Sequence, residues 1–214
     1  MDEEQNEDEG QNEEDWLTSC AQVMGKDLGN CWGLLYRELG ELQREAKYTR
    51  NIYRQNDVID LLNRSAPDFF GLVQTLLHHS IALRIGRLID SDRASVSLYK
   101  LATLACADAN QLKPRLSEIM TAAAQVQVWR NKVIAHNDLK VALGGGPDVI
   151  TWDKIDVILQ KTEECLQIVG ARYNFSTGSP YNLTDAKALI AILRLGLEER
   201  DKQLLAENLR FDLG

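Results

Sequence analysis

Residues 112–136 read LKPRLSEIMTAAAQVQVWRNKVIAH, and this stretch decides the class of fold. Its apolar side chains recur every three or four residues, which is the spacing of one face of an α-helix. The residues that share this face are Leu112, Leu116, Ile119, Ala123, Val126 and Ile134. At about 100° per residue around the helix axis, the other five lie within about 40° of Leu112. The pattern predicts a helix from about Lys113 to His136, with Pro114 in its first turn.

Helical spacing also recurs in the rest of the chain, and segments that alternate apolar and polar residues are nearly absent. The other predicted helical segments are residues 16–56, 65–90, 95–107, 152–173 and 184–209. Ser65 is the expected N-cap of the second of these helices, and Pro67 lies in its first turn. Because this helix is apolar over most of its circumference, we expect it to be central in the core. The prediction is an all-α fold, a compact helical bundle of five or six helices.

The formal net charge of −8 belongs to the N-terminal tail and not to the rest of the chain. Residues 1–15 hold nine acids and no base, which leaves 23 acids and 24 bases and a body of net charge about +1. We expect a disordered acidic tail at 1–15 and a single helical domain at 16–214, whose polar last helix can project into solvent. The tail either mimics a nucleic acid or only improves solubility, and solubility is the commoner role. A near-neutral body permits local contact with RNA without predicting it.

Composition excludes several classes of protein. No apolar run approaches the roughly 20 residues that span a bilayer, and the N-terminus is acidic where a signal peptide would be basic. We therefore expect a cytoplasmic protein with no membrane partner. The cysteines, which are widely spaced and far from any pair of histidines, are Cys20, Cys31, Cys106 and Cys165. This spacing argues against a zinc site, so we expect reduced, mostly buried thiols, no metal and no cofactor.

Arg130 interrupts the apolar face of residues 112–136 near its centre. An unpaired guanidinium in a protein core costs several kcal/mol. Arg130 must therefore be paired, or the face must open there onto a polar cleft or a subunit interface. On a regular helix Asn137 shares this face, and His136 lies about 120° from Arg130, an angle that an arginine side chain can bridge.

An arginine and a histidine so placed have the chemistry to cleave RNA. A histidine near its free pKa accepts a proton from the 2′-hydroxyl or donates one to the leaving 5′-oxygen. An arginine holds the scissile phosphate through two parallel hydrogen bonds, and no metal is required. One histidine cannot act as both the acid and the base of one reaction. A dimer that brings two such sites together would supply the second group. From spacing alone the simpler interpretation is favoured, with Arg130 paired to an acid on a neighbouring helix and His136 half-buried at a helix end.

The residues of this stretch resemble a known family. Arg130, Asn131 and, after a gap of four residues, His136 resemble the signature of the HEPN superfamily. The wider string RNKVIAHND (130–138) is similar to the abortive-infection U branch of that superfamily. Two further segments resemble the same branch, namely HHSIALRIGRLID (78–90), with Ser97-Leu98 after it, and WDKID (152–156). The resemblance covers roughly residues 20–175.

The resemblance implies a compact α-helical fold, frequently dimeric, in which the Arg and His of two subunits meet in a cleft. Many members are metal-independent ribonucleases of phage-defence and toxin–antitoxin systems, restrained by an antitoxin protein. Others are non-catalytic modules that bind RNA, nucleotide or a protein partner, and this is the alternative function. Carried over by position, Arg130 is the phosphate clamp, His136 the general acid/base and Asn131 the polar residue that orients one of them. Further candidates for substrate binding or for support of the site are Lys132, Asn137 and Asp138.

Two arginines on the predicted central helix are open to two interpretations. Arg84 and Arg87 could reach the cleft, or they could form structural ion pairs. Arg87 and Asp90 stand at i,i+3 spacing, which favours the ion pair. His78 and His79 point about 100° apart and cannot conveniently bind one metal, so we expect surface or core histidines.

Overall fold

The computed structural model describes residues 15–131, 151–177 and 184–211, and every regular element in these ranges is helical. The eight α-helices of the described residues are α1 (15–24), α2 (Lys26–Tyr53), α3 (Asn56–Ser65), α4 (Pro67–Leu88), α5 (Leu98–Leu104), α6 (Ala109–Trp129), α7 (Trp152–Ala171) and α8 (Thr184–Phe211). A short 3-10 helix, Cys106–Asp108, precedes α6. The all-α class is confirmed, but the predicted number of five or six helices is wrong.

The difference in number arises in the first third of the chain. Gly25 separates α1 from α2 with a φ of +87°, a left-handed conformation that glycine adopts without steric cost. Gly29 then allows the two helices to touch through their backbones, because a Cβ there would lie 2.2 Å from the carbonyl oxygen of Cys20. The segment Asn56–Ser65, to which the sequence analysis assigned no helix, forms α3.

The chain divides into two compact units, and each is built from two separate stretches. Unit 1 comprises Met1–Gln43 and His79–Ser179, and unit 2 comprises Arg44–His78 and Pro180–Gly214. The limits between the stretches fall within α2 and α4, so both helices contribute residues to each unit.

A cluster of aromatic rings lies in the core of unit 1. Trp32, on α2, is fully buried, and its Nε1 donates a hydrogen bond to the carbonyl oxygen of Leu166 on α7 at 2.8 Å. The rings of Trp16, Tyr36 and Phe175 have their centroids 5.3–6.0 Å from that of Trp32. Such ring pairs contribute about 0.5–1.5 kcal/mol each beyond their burial. The cluster therefore joins α1, α2 and the segment after α7.

Helices α6 and α7 pack together in antiparallel orientation. Arg115 Nε lies 3.1 Å from Glu164 Oε2, and Lys161 Nζ lies 3.2 Å from Glu118 Oε2. The position on α6 rises from 115 to 118 while the position on α7 falls from 164 to 161, as antiparallel helices require. This packing places the end of α6 within unit 1.

Unit 2 has a small core of its own. Its buried members are Ile52, Val58, Leu62, Phe70 and Ala186. Two ion pairs of 2.6 Å join α3 to α8, one between Asp57 and Arg194 and one between Arg64 and Asp201. The order of these pairs shows that α3 and α8 run parallel.

The structure corrects the sequence-based description of α4 in two respects. Ser65 is the last residue of α3, and its hydroxyl donates a hydrogen bond to the carbonyl of Leu61 (2.7 Å). The residues of the second half of α4 and just after it that are at most 2% exposed are Ile81, Ala82, Ile85, Leu88 and Ile89. The first half differs, because three large apolar side chains there are 56–60% exposed. The expectation of a helix central in the core is therefore wrong for this half.

Candidate functional site

The candidate site begins where the apolar face of α6 ends. The described residues of that face are all buried, as the sequence predicts: Leu112, Leu116, Ile119, Ala123 and Val126. Ile134 lies outside the described residues. Arg130 follows on the same face and is half-buried. Residues 130–131 continue the helix as a π-helical turn, a local widening that is frequent at functional sites. The apolar face therefore gives way to a cation at the end of α6.

The side chain of Arg130 lies directly against Gly86 of α4. A Cβ on Gly86 would lie 2.5 Å from Nη1 of Arg130, 2.9 Å from its Cδ and 3.4 Å from its Cζ. Real Cβ atoms are not found closer than about 3.0 Å to another heavy atom, so any larger residue would displace the guanidinium. Nε of Arg130 donates a hydrogen bond to Oδ1 of Asn131 at 3.1 Å. Gly86 and Asn131 together define where the guanidinium lies.

A carboxylate stands near this cation. Asp90 follows α4 and accepts hydrogen bonds from the backbone N–H of Asp92 (2.9 Å) and from the hydroxyl of Ser95 (3.0 Å). These two hydrogen bonds hold the pKa of Asp90 below its ordinary value, and the charge of Arg130 lowers it further. Asp90 thus shapes the loop after α4 and adds a negative charge to the surroundings of Arg130.

An aromatic contact joins α4 to α6 in the same region. The ring centroids of His79 and Trp129 are 5.3 Å apart, with an angle of 59° between the ring planes. His79 is half-buried, so it is neither a fully exposed nor a core histidine. This contact fixes the last turn of α6 one residue before Arg130.

The two other arginines of α4 form ion pairs with α2. Arg84 Nη1 lies 2.9 Å from Glu38 Oε2, and Arg87 Nη2 lies 3.2 Å from Glu38 Oε1. The preference for structural ion pairs is confirmed, but the partner of Arg87 is Glu38 and not Asp90. Asp90 lies beyond the end of α4, and its two carboxylate oxygens accept hydrogen bonds within the loop instead.

Two of the predicted site residues, Arg130 and Asn131, lie side by side at the end of α6. The others fall outside the described residues, namely Lys132, His136, Asn137 and Asp138. Sequence reasoning missed Gly86. An isolated glycine inside a strongly apolar helix is itself a signal of close packing, because glycine destabilises a helix interior.

Comparison with known proteins adds the family. A family model described as AbiU2, of HEPN type, matches residues 28–192, which is most of the chain. The chain belongs to the AbiU2 family of HEPN proteins. The resemblance predicted from the sequence is therefore confirmed, and the AbiU2 match includes Gly86, Asp90 and Arg130. No curated protein and no solved structure matches the chain.

Two structural features are absent from the residues that the structure describes. No helix among them is both long and apolar enough to cross a bilayer. Within the same residues, no three side chains of His, Cys, Asp or Glu converge as a metal site would require. The thiols of Cys20, Cys31 and Cys165 are buried and that of Cys106 is exposed, and all four are free, as predicted.

Proposed function

We propose that this protein is a metal-independent ribonuclease of a phage-defence or toxin–antitoxin system, in which Arg130 and His136 cleave RNA. The observation that carries the proposal is the position of Arg130. It is a half-buried arginine at the end of a fully apolar face, held against a glycine, in a chain of the AbiU2 family. A guanidinium so held is suited to a phosphate, because its planar donors match two phosphate oxygens.

The proposed reaction divides the work between the two side chains. His136 accepts the proton of the 2′-hydroxyl, whose oxygen attacks the adjacent phosphorus while the bond to the 5′-oxygen breaks. Arg130 stabilises the charge that grows on the phosphate oxygens. The 5′-oxygen leaves with a proton from a second acid, which a second copy of the chain would supply as its own His136. The products end in a 2′,3′-cyclic phosphate and a 5′-hydroxyl.

Purified protein incubated with structured and unstructured RNA in EDTA tests this proposal. We expect cleavage by the wild-type chain and a loss of at least about 100-fold in Arg130→Ala and His136→Ala variants. Arg54→Ala is the matched control, because Arg54 is an exposed arginine in the turn between α2 and α3. Absence of cleavage, or equal cleavage by all four proteins, would show that the chain is not this enzyme.

A second candidate function is a non-catalytic module that binds RNA, nucleotide or a protein partner at the same residues. Two observations favour it. The body of the chain is near-neutral, whereas strong RNA-binding proteins are usually basic. Asp90 also places a negative charge near Arg130, which weakens the attraction for a phosphate. Tight binding without turnover that is lost in Arg130→Ala would support this function.

An antitoxin protein that restrains the chain belongs to the first proposal, and co-expression that relieves toxicity would identify it.

A further inference from the structure

The contact between His79 and Trp129 differs from the aromatic cluster in the core of unit 1. Trp32 in that cluster is fully buried, whereas His79 and Trp129 are both half-buried. Their ring planes are inclined at 59°, so the two rings do not cover each other face to face. Val128, directly before Trp129, is 43% exposed. The pair of rings therefore lies at the surface of unit 1 and not in its core.

His79 and Gly86 lie on the same face of α4. Seven residues turn an α-helix through nearly two full turns, so the two positions are about 20° apart around the axis and about 10 Å apart along it. His79 contacts Trp129 and Gly86 contacts Arg130, so two consecutive residues at the end of α6 meet this face at two places. Leu83 lies between the two contacts on the same face, yet it is 42% exposed. The two contacts therefore border an open strip, here called the α4–α6 groove, with Leu83 at its floor.

The α4–α6 groove offers two different contacts to a ligand. One end presents the guanidinium of Arg130, which suits an anion, and the other end presents the two rings, which suit a flat group. A nucleotide of an RNA strand has the same two parts, an anionic phosphate and a flat base, joined through one sugar. Bases of unpaired RNA stack on the side chains of Trp and His, whereas the bases of a duplex stack on one another. The groove therefore fits an unpaired strand better than a duplex.

We propose that Trp129 and His79 bind an unpaired base next to the phosphate that Arg130 holds, so that the substrate class is single-stranded RNA. This inference rests on the proposed function for the role of Arg130, and it adds the residues that select unpaired over paired RNA. Loss of one stacked base costs roughly 5- to 150-fold in affinity. The stacked base also determines which phosphate reaches Arg130, because the base and that phosphate are neighbours on one strand.

Binding of uncleavable strands to the full-length chain tests the proposal without any need for catalysis. The probes are a labelled oligodeoxyuridylate, an abasic strand of the same length, and the oligodeoxyuridylate annealed to oligodeoxyadenylate. All three lack the 2′-hydroxyl that attacks the phosphorus. We expect the wild-type chain to bind the single strand about 5-fold or more tightly than the abasic strand or the duplex. Trp129→Leu keeps an apolar side chain but removes the ring, so it should lose the preference over the abasic strand, and Trp129→Phe should retain most of it.

Tyr173→Leu is the matched control. Tyr173 is a half-buried aromatic residue of unit 1 that follows α7, and its neighbour Arg172 pairs with Asp108 at the start of α6. Helix α6 has 21 residues and is therefore about 30 Å long, so Tyr173 lies far from Trp129. This variant should bind all three probes as the wild-type chain does.

The comparison of base-bearing and abasic strands separates stacking from a structural role, because a displaced Arg130 would weaken the binding of both strands equally. Three outcomes would overturn the proposal: a wild-type chain with no preference for the base-bearing strand, an equal loss on both strands in Trp129→Leu, or the same loss of preference in Tyr173→Leu. Circular dichroism shows whether the variants fold. If Trp129→Leu does not, His79→Leu provides the same comparison from α4.

Failure of this inference and failure of the ribonuclease proposal give different results. Cleavage of RNA that depends on Arg130 but not on the ring of Trp129 would refute the stacking and leave the ribonuclease standing. Ring-dependent binding of the single strand without cleavage of RNA would refute the ribonuclease and support the stacking.

Discussion

Replacing Gly86 with alanine should separate the function of Arg130 from the stability of the fold. The added methyl group would lie 2.5 Å from Nη1 and 2.9 Å from Cδ of Arg130. Ordinary contacts of a Cβ begin at 3.4 Å, so the guanidinium must move by about 1 Å. The atoms that move belong to a flexible side chain and not to the backbone, so the helices can remain where they are.

The Gly86→Ala variant should lose activity, whereas its stability should stay constant or rise. A displacement of about 1 Å in a group that holds a substrate can cost about 100-fold in rate, or about 2.7 kcal/mol of activation free energy. Alanine is better than glycine inside a helix by about 1 kcal/mol. That gain offsets the cost of moving Arg130, so the melting temperature should stay constant or rise by about 2–4 °C. A variant that is as stable as the wild type but cleaves RNA about 100-fold more slowly is the predicted result.

The assay measures the rate of RNA cleavage and the thermal unfolding of the same preparations. Gly71→Ala is the matched control, because Gly71 is on the same helix and a Cβ there meets no atom within 4 Å. It should gain the same helix stability and cleave at the wild-type rate. The reasoning is refuted if Gly86→Ala cleaves at the wild-type rate while Arg130→Ala does not. It is also refuted if Gly86→Ala lowers the melting temperature by more than about 4 °C, because the backbone would then have moved.

Three further measurements test the structure around the site. The lowered pKa of Asp90 stabilises the fold at pH values above the unfolded pKa, and this stability is lost as the pH falls through the folded pKa. Asp90→Ala should therefore lower the free energy of unfolding at pH 7 but not at pH 2. An equal loss at both pH values would contradict this. A thiol reagent should modify Cys106 rapidly and the other three cysteines slowly. Cys106 is exposed, whereas the other three are buried, and burial raises the pKa of Cys165 to about 12. Rapid reaction of all four thiols would show that the core opens. A double-mutant cycle on Arg84 and Glu38 should give a coupling of about 1 kcal/mol, and a value near zero would contradict the ion pair.

The sequence predicted the buried face of α6 correctly, because helical periodicity is a local property. Leu112, Leu116 and Val126 face inward wherever α6 packs, and the spacing alone places Arg130 beyond them. The contact of Arg130 with Gly86 could not be predicted in this way. The two residues are far apart in the chain, and only the packing of α4 against α6 brings them together.

The burial of α4 was mispredicted for a related reason. An apolar helix surface predicts that something covers it, but it does not say whether the cover is the same chain or another molecule. Ile81 and Ile85 are covered by the chain itself, whereas Phe69 and Leu72 are not. The partner of Arg87 was mispredicted because i,i+3 spacing names only a neighbour on the same helix, and Glu38 is on another.

The discontinuity of the two units sets the order in which they can be completed during synthesis. Trp32 leaves the ribosome long before its hydrogen-bond acceptor, the carbonyl of Leu166, which is 134 residues later. At 5–20 residues per second that interval is roughly 7–27 s. Unit 2 must likewise wait for Ala186 before its core can close. A chain that ends before residue 166 therefore lacks both the acceptor for Trp32 in unit 1 and the Ala186 side chain of the unit 2 core.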